Sequence, residues 1–307
     1  MQSYLVPNQC KTIYYWTSAT KSNPNIISKM ASKIVKWAFN AMEWTPTLEE
    51  VTNASSYMQL EEKQRIARFA FQDDAKSSLV GRLMLRKFVH DTTSIPYDDI
   101  RLGRDERGKP FLINAGDSPV TFNISHQGKY VVLAGNRDCS IGIDVMKIEP
   151  PANKNIPEFF RIMNRQFSQY EWSTIRSFPT ELEQVSCFYR IWCLKESYVK
   201  NIGVGITIPL NEISFSIKTR YLKLGIPATD TVLYQKNKLN KEFFFEETLL
   251  DSKHVVAVSL KMSENVDYES SPFNFLTFDD LIRDAKAFVA PDYNFGAEFM
   301  AKQIKNF

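Results

Sequence analysis

Apolar positions recur along this chain at two periods. Val35, Trp37 and Phe39 fall on every second residue, the period of a strand. Thr47 with Glu50 has capping-box spacing and opens a helix. A helical period then runs through 61–71 and 74–90, and Pro96 ends that region. Segments 100–102 and 110–113 read as short strands around the turn Arg104-Asp-Glu-Arg-Gly-Lys109. Segments 120–125 and 130–135 read as a strand pair, and 140–148 as a further strand. Helices follow: 157–167, one capped by Ser168 and Glu171, and a long one capped by Thr180 and Glu183 that Gly203 stops. Segments 212–217, 231–234, 242–246 and 254–260 are strand-like again.

This order predicts an α+β fold in two units of similar size with mostly antiparallel sheets. The expected division is an N-terminal extension at 1–33, halves at 34–139 and 140–263, and a C-terminal tail at 264–307. The tail is polar and acidic, with Phe273, Phe275 and Phe278 as anchors, and is expected to be partly ordered at best.

Composition narrows the classes. The 307 residues are 44% apolar and 24% charged, as in a globular chain with a real core. A net charge of +3 gives no ground for nucleic acid as a partner. No apolar run approaches the ~20 residues of a membrane span. The four cysteines show no C-x-x-C spacing, and no secretory signal precedes them, which reads as a reduced, cytosolic protein. The acid-poor start at 1–36 leaves a mitochondrial leader as the alternative, although it contains no arginine. Three histidines and no H-E-x-x-H argue against a multi-histidine zinc site.

Four stretches carry candidate chemistry. The long helix is apolar on most of its circumference over 188–200, so it is expected to be buried, yet it contains Lys195, Glu196 and Lys200. Glu196 and Lys200 share a face, whereas Lys195 turns away from them. An ordinary i,i+4 ion pair is one reading, a ligand site the other. In Ser140-Ile-Gly-Ile-Asp-Val-Met146 the alternation puts Gly142, Asp144 and Met146 on one face. Asp is disfavoured inside a strand, so Asp144 is either an edge residue or a carboxylate ligand for a hard cation, with Glu196 as its partner. At the end of an apolar strand, Ser125, His126, Gln127 and Gly128 form a donor-rich turn suited to an anion, although a lone histidine is more often structural. The turn of Arg104, Asp105, Glu106, Arg107, Gly108, Lys109 and Pro110 is a solvated charge run or a phosphate clamp. Arg65, on an apolar helix, is a further cation.

Taken in order, R-x-x-x-G-K-P, N-I-S-H, I-G-I-D and W-x-x-K-E-S-x-x-K resemble the motifs of the 4′-phosphopantetheinyl transferases, in particular the larger type that activates surfactin synthetase. The similarity extends over roughly 37–260 and is strongest to the family's animal members named for aminoadipate-semialdehyde dehydrogenase. The resemblance implies two pseudo-symmetric α+β halves with coenzyme A in the cleft between them. It implies a Mg²⁺-dependent transfer of the phosphopantetheine arm of coenzyme A to a serine of a carrier protein, of the fatty-acid-synthase or aminoadipate-semialdehyde-dehydrogenase kind. Carried over by position, Asp144 and Glu196 hold the Mg²⁺, and Glu196 is the candidate base. Lys200 and Lys195 meet phosphates. Arg65 and His126 meet the 3′-phosphate. The 104–110 turn with Asn123, Ile124 and Ser125 surrounds the nucleotide. Many bacterial members have Glu where this chain has Met146, and Gln127 or a water is expected to stand in as metal ligand. A monomer suffices for this arrangement. The rival reading is a catalytically silent protein of the same fold that binds coenzyme A or a carrier. The apolar helix 157–167, with Arg161 and Arg165, is either plain core packing or a dock for an acidic carrier helix.

Overall fold

The computed structural model describes residues 31–305, apart from 33, 94, 117–119, 152–154, 206 and 262–266. The expectations placed on 1–30 lie outside the described residues. Strand β1 (Ala31–Ser32) precedes β2 (Val35–Asn40). Helix α1 (Leu48–Ser55) starts at Thr47, whose side chain caps Glu50 N while Glu50 caps Thr47 N. Helix α2 (Leu60–Ala67) stops short of the expected 71, and α3 (Gln72–Thr92) follows after a break. The charged turn joins β3 (Leu102–Arg104) to β4 (Pro110–Leu112). A hairpin of β5 (Thr121–Gln127) and β6 (Tyr130–Asn136) leads into β7 (Ser140–Lys147). Helices α4 (Ile156–Met163), α5 (Gln169–Arg176) and α6 (Glu181–Ile202) come next. Strands β8 (Ile213–Ser216), β9 (Val232–Gln235), β10 (Lys238–Asn240), β11 (Phe243–Asp251) and β12 (His254–Lys261) complete the second series. The chain ends in β13 (Asp267–Tyr268), β14 (Asn274–Phe275), α7 (Phe278–Ile282) and α8 (Tyr293–Met300).

The fold is α+β with small, mostly antiparallel sheets. One sheet has the order β14-β2-β6-β5 and another β11-β12-β7. Their inner faces meet: Ala38, Val132 and Ala134 of the first pack with Ile141, Ile143, Val145, Val256 and Val258 of the second. This is the side of β7 that alternation assigned to the core. A second core lies between α3 and the first sheet, around Leu83, Phe88, Val131 and Leu133. A third surrounds α6, around Phe188, Ile191, Leu194 and Phe245.

The C-terminal stretch departs from the expected loose tail. Strand β14 pairs with Trp37 and Ala38 of β2 in parallel. Phe278, Leu281, Phe295 and Phe299 are buried in the core of α1 and α3. Apolar residues spaced widely through a polar sequence carry this packing, so overall polarity concealed it.

The edges of β5 and β7 lie side by side without a backbone ladder, and side chains bridge them. Asn123 Oδ1 accepts from Ile143 N at 3.2 Å, and Gln127 Oε1 accepts from Lys147 N at 2.5 Å. Between them Ser125 Oγ donates to Asp144 Oδ1 at 2.7 Å. Alternation along β5 puts these three residues on one face, so a polar strand face forms the seam between two apolar sheets. Among the described residues no helix is long and apolar enough to cross a membrane.

Candidate active site

The site is built where α6 crosses the seam. Thr180 and Glu183 form the capping box at the start of α6, and Gly203 ends it in the left-handed conformation at φ +69°. Gly142 lets β7 press against this helix: a Cβ there would stand 2.1 Å from Ser197 O and 2.6 Å from Asn201 N. The close approach sets Asp144 beside the α6 face that bears Glu196 and Lys200. Lys200 Nζ lies 2.6 Å from Asp144 Oδ1 and donates to Ser125 Oγ at 2.8 Å. Asp144 Oδ2 is buried and finds no hydrogen-bond partner among the described residues. Burial raises the Glu196 carboxyl above its usual range, the neighbouring Asp144 charge adds to this, and Lys200 opposes it.

The charged turn closes over the end of α6. Asp105 Oδ1 accepts from Arg107 N at 2.9 Å and Lys109 N at 2.8 Å, and Gly108 turns at φ +81°. Arg104 Nη1 donates to Gly108 O at 2.6 Å. Lys109 Nζ donates to Lys200 O at 3.2 Å, and Arg107 donates to Gly203 O. Cations therefore meet the free carbonyls at the negative end of the helix.

Between the turn, α2, α3, β5 and α6 lies a cleft of about 330 Å³. Among the described residues its walls present six cations, Arg65, Arg82, Arg104, Arg107, Lys109 and Lys200, and a single carboxylate, Glu196. Gly108, Pro110, Asn123, Ile124 and His126 complete the lining. Desolvation and the nearby Arg65 lower the pKa of Arg104; desolvation lowers that of Lys109. Partial desolvation and then the Lys200 charge push His126 below the ordinary imidazole range, against the pull of Asp74. Arg82 drops to about 10, through burial and then the adjacent Arg104. So many cations with so little counter-charge make a receptor for a polyanion.

Not every expected residue is here. Lys195 is fully buried on the other side of α6, 2.9 Å from Glu171 Oε2, and also donates to Leu210 O and Ile213 O. It ties α6 to α5 and to the chain around the start of β8 and does not line the cleft, because one residue along a helix turns the side chain by about 100°. Gln127 is no free ligand either, since the Lys147 amide occupies its carbonyl oxygen. Asp105 braces its turn, and Glu106 is exposed outside the cleft. Met146 packs against the core around α6 and supplies no carboxylate. Arg82 was missed. It is 8% exposed with a buried, unpartnered Nε, and it lines the cleft. Its only sign in the sequence is a charge within the apolar run Leu79-Val-Gly-Arg-Leu-Met-Leu85.

Two family models divide the chain at the seam. Residues 42–138 match a model described as 4′-phosphopantetheinyl transferase, N-terminal, and 140–258 match the 4′-phosphopantetheinyl transferase superfamily. The chain belongs to the 4′-phosphopantetheinyl transferases. The L-aminoadipate-semialdehyde dehydrogenase-phosphopantetheinyl transferases of Mus musculus and Homo sapiens are 41% and 40% identical to this family member. Each alignment covers 85% of this chain and 89% of the relative. The 4′-phosphopantetheinyl transferase Sfp of Bacillus subtilis is 32% identical over 170 residues, 55% of this chain and 70% of its own. In this transferase the cationic cleft draws its lining from both matched regions, and Asp144 and Glu196 both come from the second.

Proposed function

We propose that this protein transfers the 4′-phosphopantetheine arm of coenzyme A to a serine of acyl or peptidyl carrier proteins, converting apo carriers to holo carriers. The observation that carries the reading is the convergence of six cations on a cleft that Glu196 also lines, with Asp144 just behind it against Lys200. Coenzyme A has a 3′-phosphate and a pyrophosphate, and the cleft offers cations for both. Arg65 and His126 are assigned to the 3′-phosphate. Arg104, Arg107 and Lys109 form a clamp on the nucleotide side, with Arg82 behind them.

Among the described residues no three His, Cys, Asp or Glu side chains converge as a metal cage. Two carboxylates beside a phosphate site nevertheless suit Mg²⁺, which is commonly held by one or two carboxylates plus substrate oxygens. The buried, unpartnered Asp144 Oδ2 and the neighbouring Glu196 fit that role. A Mg²⁺ bound there would neutralise charge growing on the pyrophosphate oxygens. Glu196 takes the proton from the carrier serine as its oxygen attacks the phosphorus that bears the pantetheine arm. The bond from that phosphorus to the bridging oxygen breaks, and adenosine 3′,5′-bisphosphate leaves. Lys200 stabilises charge on that leaving phosphate. Ser125 holds Asp144 in place throughout.

Arg161, Ile162 and Arg165 are exposed along and just beyond α4, while Phe160 and Phe167 fill the core. Core packing thus accounts for the aromatic side of this segment, and its basic outer side is assigned to the acidic carrier. One chain supplies every group in this reading, and a cytosolic monomer is sufficient for it. The test is intact-mass analysis of an apo carrier incubated with the protein, coenzyme A and Mg²⁺. A phosphopantetheine-sized gain that EDTA and Glu196→Ala both abolish is expected; no gain on acyl, peptidyl or aminoadipate-type carriers would sink the reading.

A further inference from the structure

The tip of the β5–β6 hairpin sits on a histidine outside the cleft. His254 opens β12 and is fully buried. Lys129 N donates to its Nε2 at 3.2 Å, and its Nδ1 lies 2.8 Å from Asp251 Oδ1. The ring meets Tyr130 edge-on, with centroids 4.9 Å apart. Gly128 turns at φ +57°, and a Cβ there would stand 2.3 Å from Nε2, so the turn backbone rests directly on the imidazole. A backbone N–H can only donate. Nε2 must therefore accept, which puts the ring proton on Nδ1, facing Asp251.

We propose that His254 is a positioning residue for phosphopantetheine transfer: its neutral Nδ1–H form latches the β5–β6 turn to the β7–β12 edge and so holds Ser125 and His126 in register with Asp144 and Lys200. The proposal rests on the transferase reading. Its physical basis is the seam, where β5 is held to β7 through Asn123, Ser125 and Gln127 side chains. His254 lies opposite Lys147 in the β7–β12 register, and Lys147 N is the donor to Gln127. The latch therefore closes the end of the seam next to its last side-chain bridge. Without it, the hairpin that carries Ser125 is free to shift against Asp144.

The latch is sensitive to protonation. A charged ring would present Nε2–H to Lys129 N–H, donor against donor, and release the turn. The charged and titratable groups around the ring are Asp251 from the β11–β12 turn, Lys129 and Tyr130 from the hairpin, and Lys147 from β7, itself 2.5 Å from Glu149. Burial lowers the His254 pKa first, Asp251 raises it, and Lys129 and Lys147 lower it again, with a net displacement below 6.5. The turn is thus latched at neutral pH and released in acid.

The test compares wild type, His254→Gln and His254→Leu by steady-state transfer to an apo carrier from about pH 8 to about pH 5.5. Gln offers an oxygen near the Nε2 position and does not titrate; Leu offers no acceptor. His254→Gln should keep kcat within about twofold of wild type near neutrality, whereas His254→Leu should lose about tenfold, the scale of one lost hydrogen bond. His254→Gln should also lose less activity than wild type on acidification, because one protonation step is gone. Equal kcat in all three proteins overturns the proposal. So does His254→Gln that is as impaired as His254→Leu, or an acid profile unchanged in His254→Gln. If His254→Leu does not fold, the acid profile of His254→Gln decides alone. Absence of transfer by the wild type would instead overturn the transferase reading itself.

Discussion

Lys200 Nζ lies 2.6 Å from Asp144 Oδ1, across the contact of α6 with β7, rather than bonding along its own helix to Glu196. Ser125 Oγ reaches the same oxygen at 2.7 Å. One carboxylate oxygen is thus held by two donors from two elements, and Oδ2 is left without a partner. Ser125 acts through Asp144. Ser125→Ala should weaken Mg²⁺ activation and slow transfer about tenfold, the scale on which outer partners of metal ligands act. Ser125→Thr should retain most of both. A Mg²⁺ titration of the transfer rate reads the difference.

Arg82 should separate binding from stability. Its guanidinium is buried among Arg65, Arg86 and Arg104 with one carboxylate, Glu62, 4.0 Å away, so in the free protein burial and the neighbouring cations outweigh that attraction. Arg82→Met should leave the melting temperature unchanged or raised. The same change removes a charge-assisted hydrogen bond of about 1.5–3 kcal/mol, so KM for coenzyme A should rise about ten- to a hundredfold. Calorimetry and steady-state kinetics on one preparation check both halves.

The pH dependence of Glu196 has a definite sign. Its carboxyl is raised above 4.5 by burial first and Asp144 second. Between 4.5 and the raised value the folded chain binds more protons than the unfolded one. This contribution to stability is therefore present at low pH and is lost as pH rises through the folded pKa. In the proposed mechanism activity runs the other way, since there only the ionised form serves as base and ligand. Carbon-detected NMR of labelled glutamate in the metal-free protein should find Glu196 titrating above 4.5, and Asp144→Asn should move it down. An unmoved titration would remove Asp144 from its surroundings.

Lys195 belongs to stability. Its pair with Glu171 is fully buried, and Glu171 also accepts from Ser168 N at 2.8 Å and Phe215 N at 3.0 Å. Lys195→Met leaves that carboxylate without its counter-charge, at a cost of about 3–5 kcal/mol. Urea unfolding should show the loss, and KM for coenzyme A in the remaining folded protein should be unchanged.

These residues mark where sequence reading succeeds. The boxes at Thr47–Glu50, Ser168–Glu171 and Thr180–Glu183 depend on four neighbouring residues, so spacing alone reveals them. Gly203 as a helix stop and the inward face of β7 are equally local. Lys195 shows the limit of motif transfer: the helical period already turned it from Glu196, and the structure follows the period. Arg82 depends on α2 and on the β3–β4 turn, far away in sequence, and Gln127 is claimed by an amide of another strand. Such long-range partners leave no local trace. Strand β3 also begins later than expected, at Leu102 rather than at residue 100, because its partner β4 sets the register.

The C-terminal arm should support coenzyme A binding through the core around α1 and α3. Phe299 is 1% exposed and Phe295 7%, both within the core of α1 and α3. Gly296 packs so closely that a Cβ would stand 2.3 Å from Thr52 Oγ1. Beyond α8, Lys302 Nζ donates to Ala67 O at 2.8 Å and Phe69 O at 2.7 Å, where α2 ends just past Arg65. Removing the chain from Asp292 onward exposes that core and frees those carbonyls. Phe299→Ala alone should destabilise by about 3–5 kcal/mol through the cavity it leaves. Lys302→Ala should cost little stability, because the lysine is only half-buried, yet it should loosen the end of α2 and raise KM for coenzyme A a few-fold. Thermal melts with and without coenzyme A distinguish the two: Phe299→Ala lowers both curves together, and Lys302→Ala narrows the gap between them.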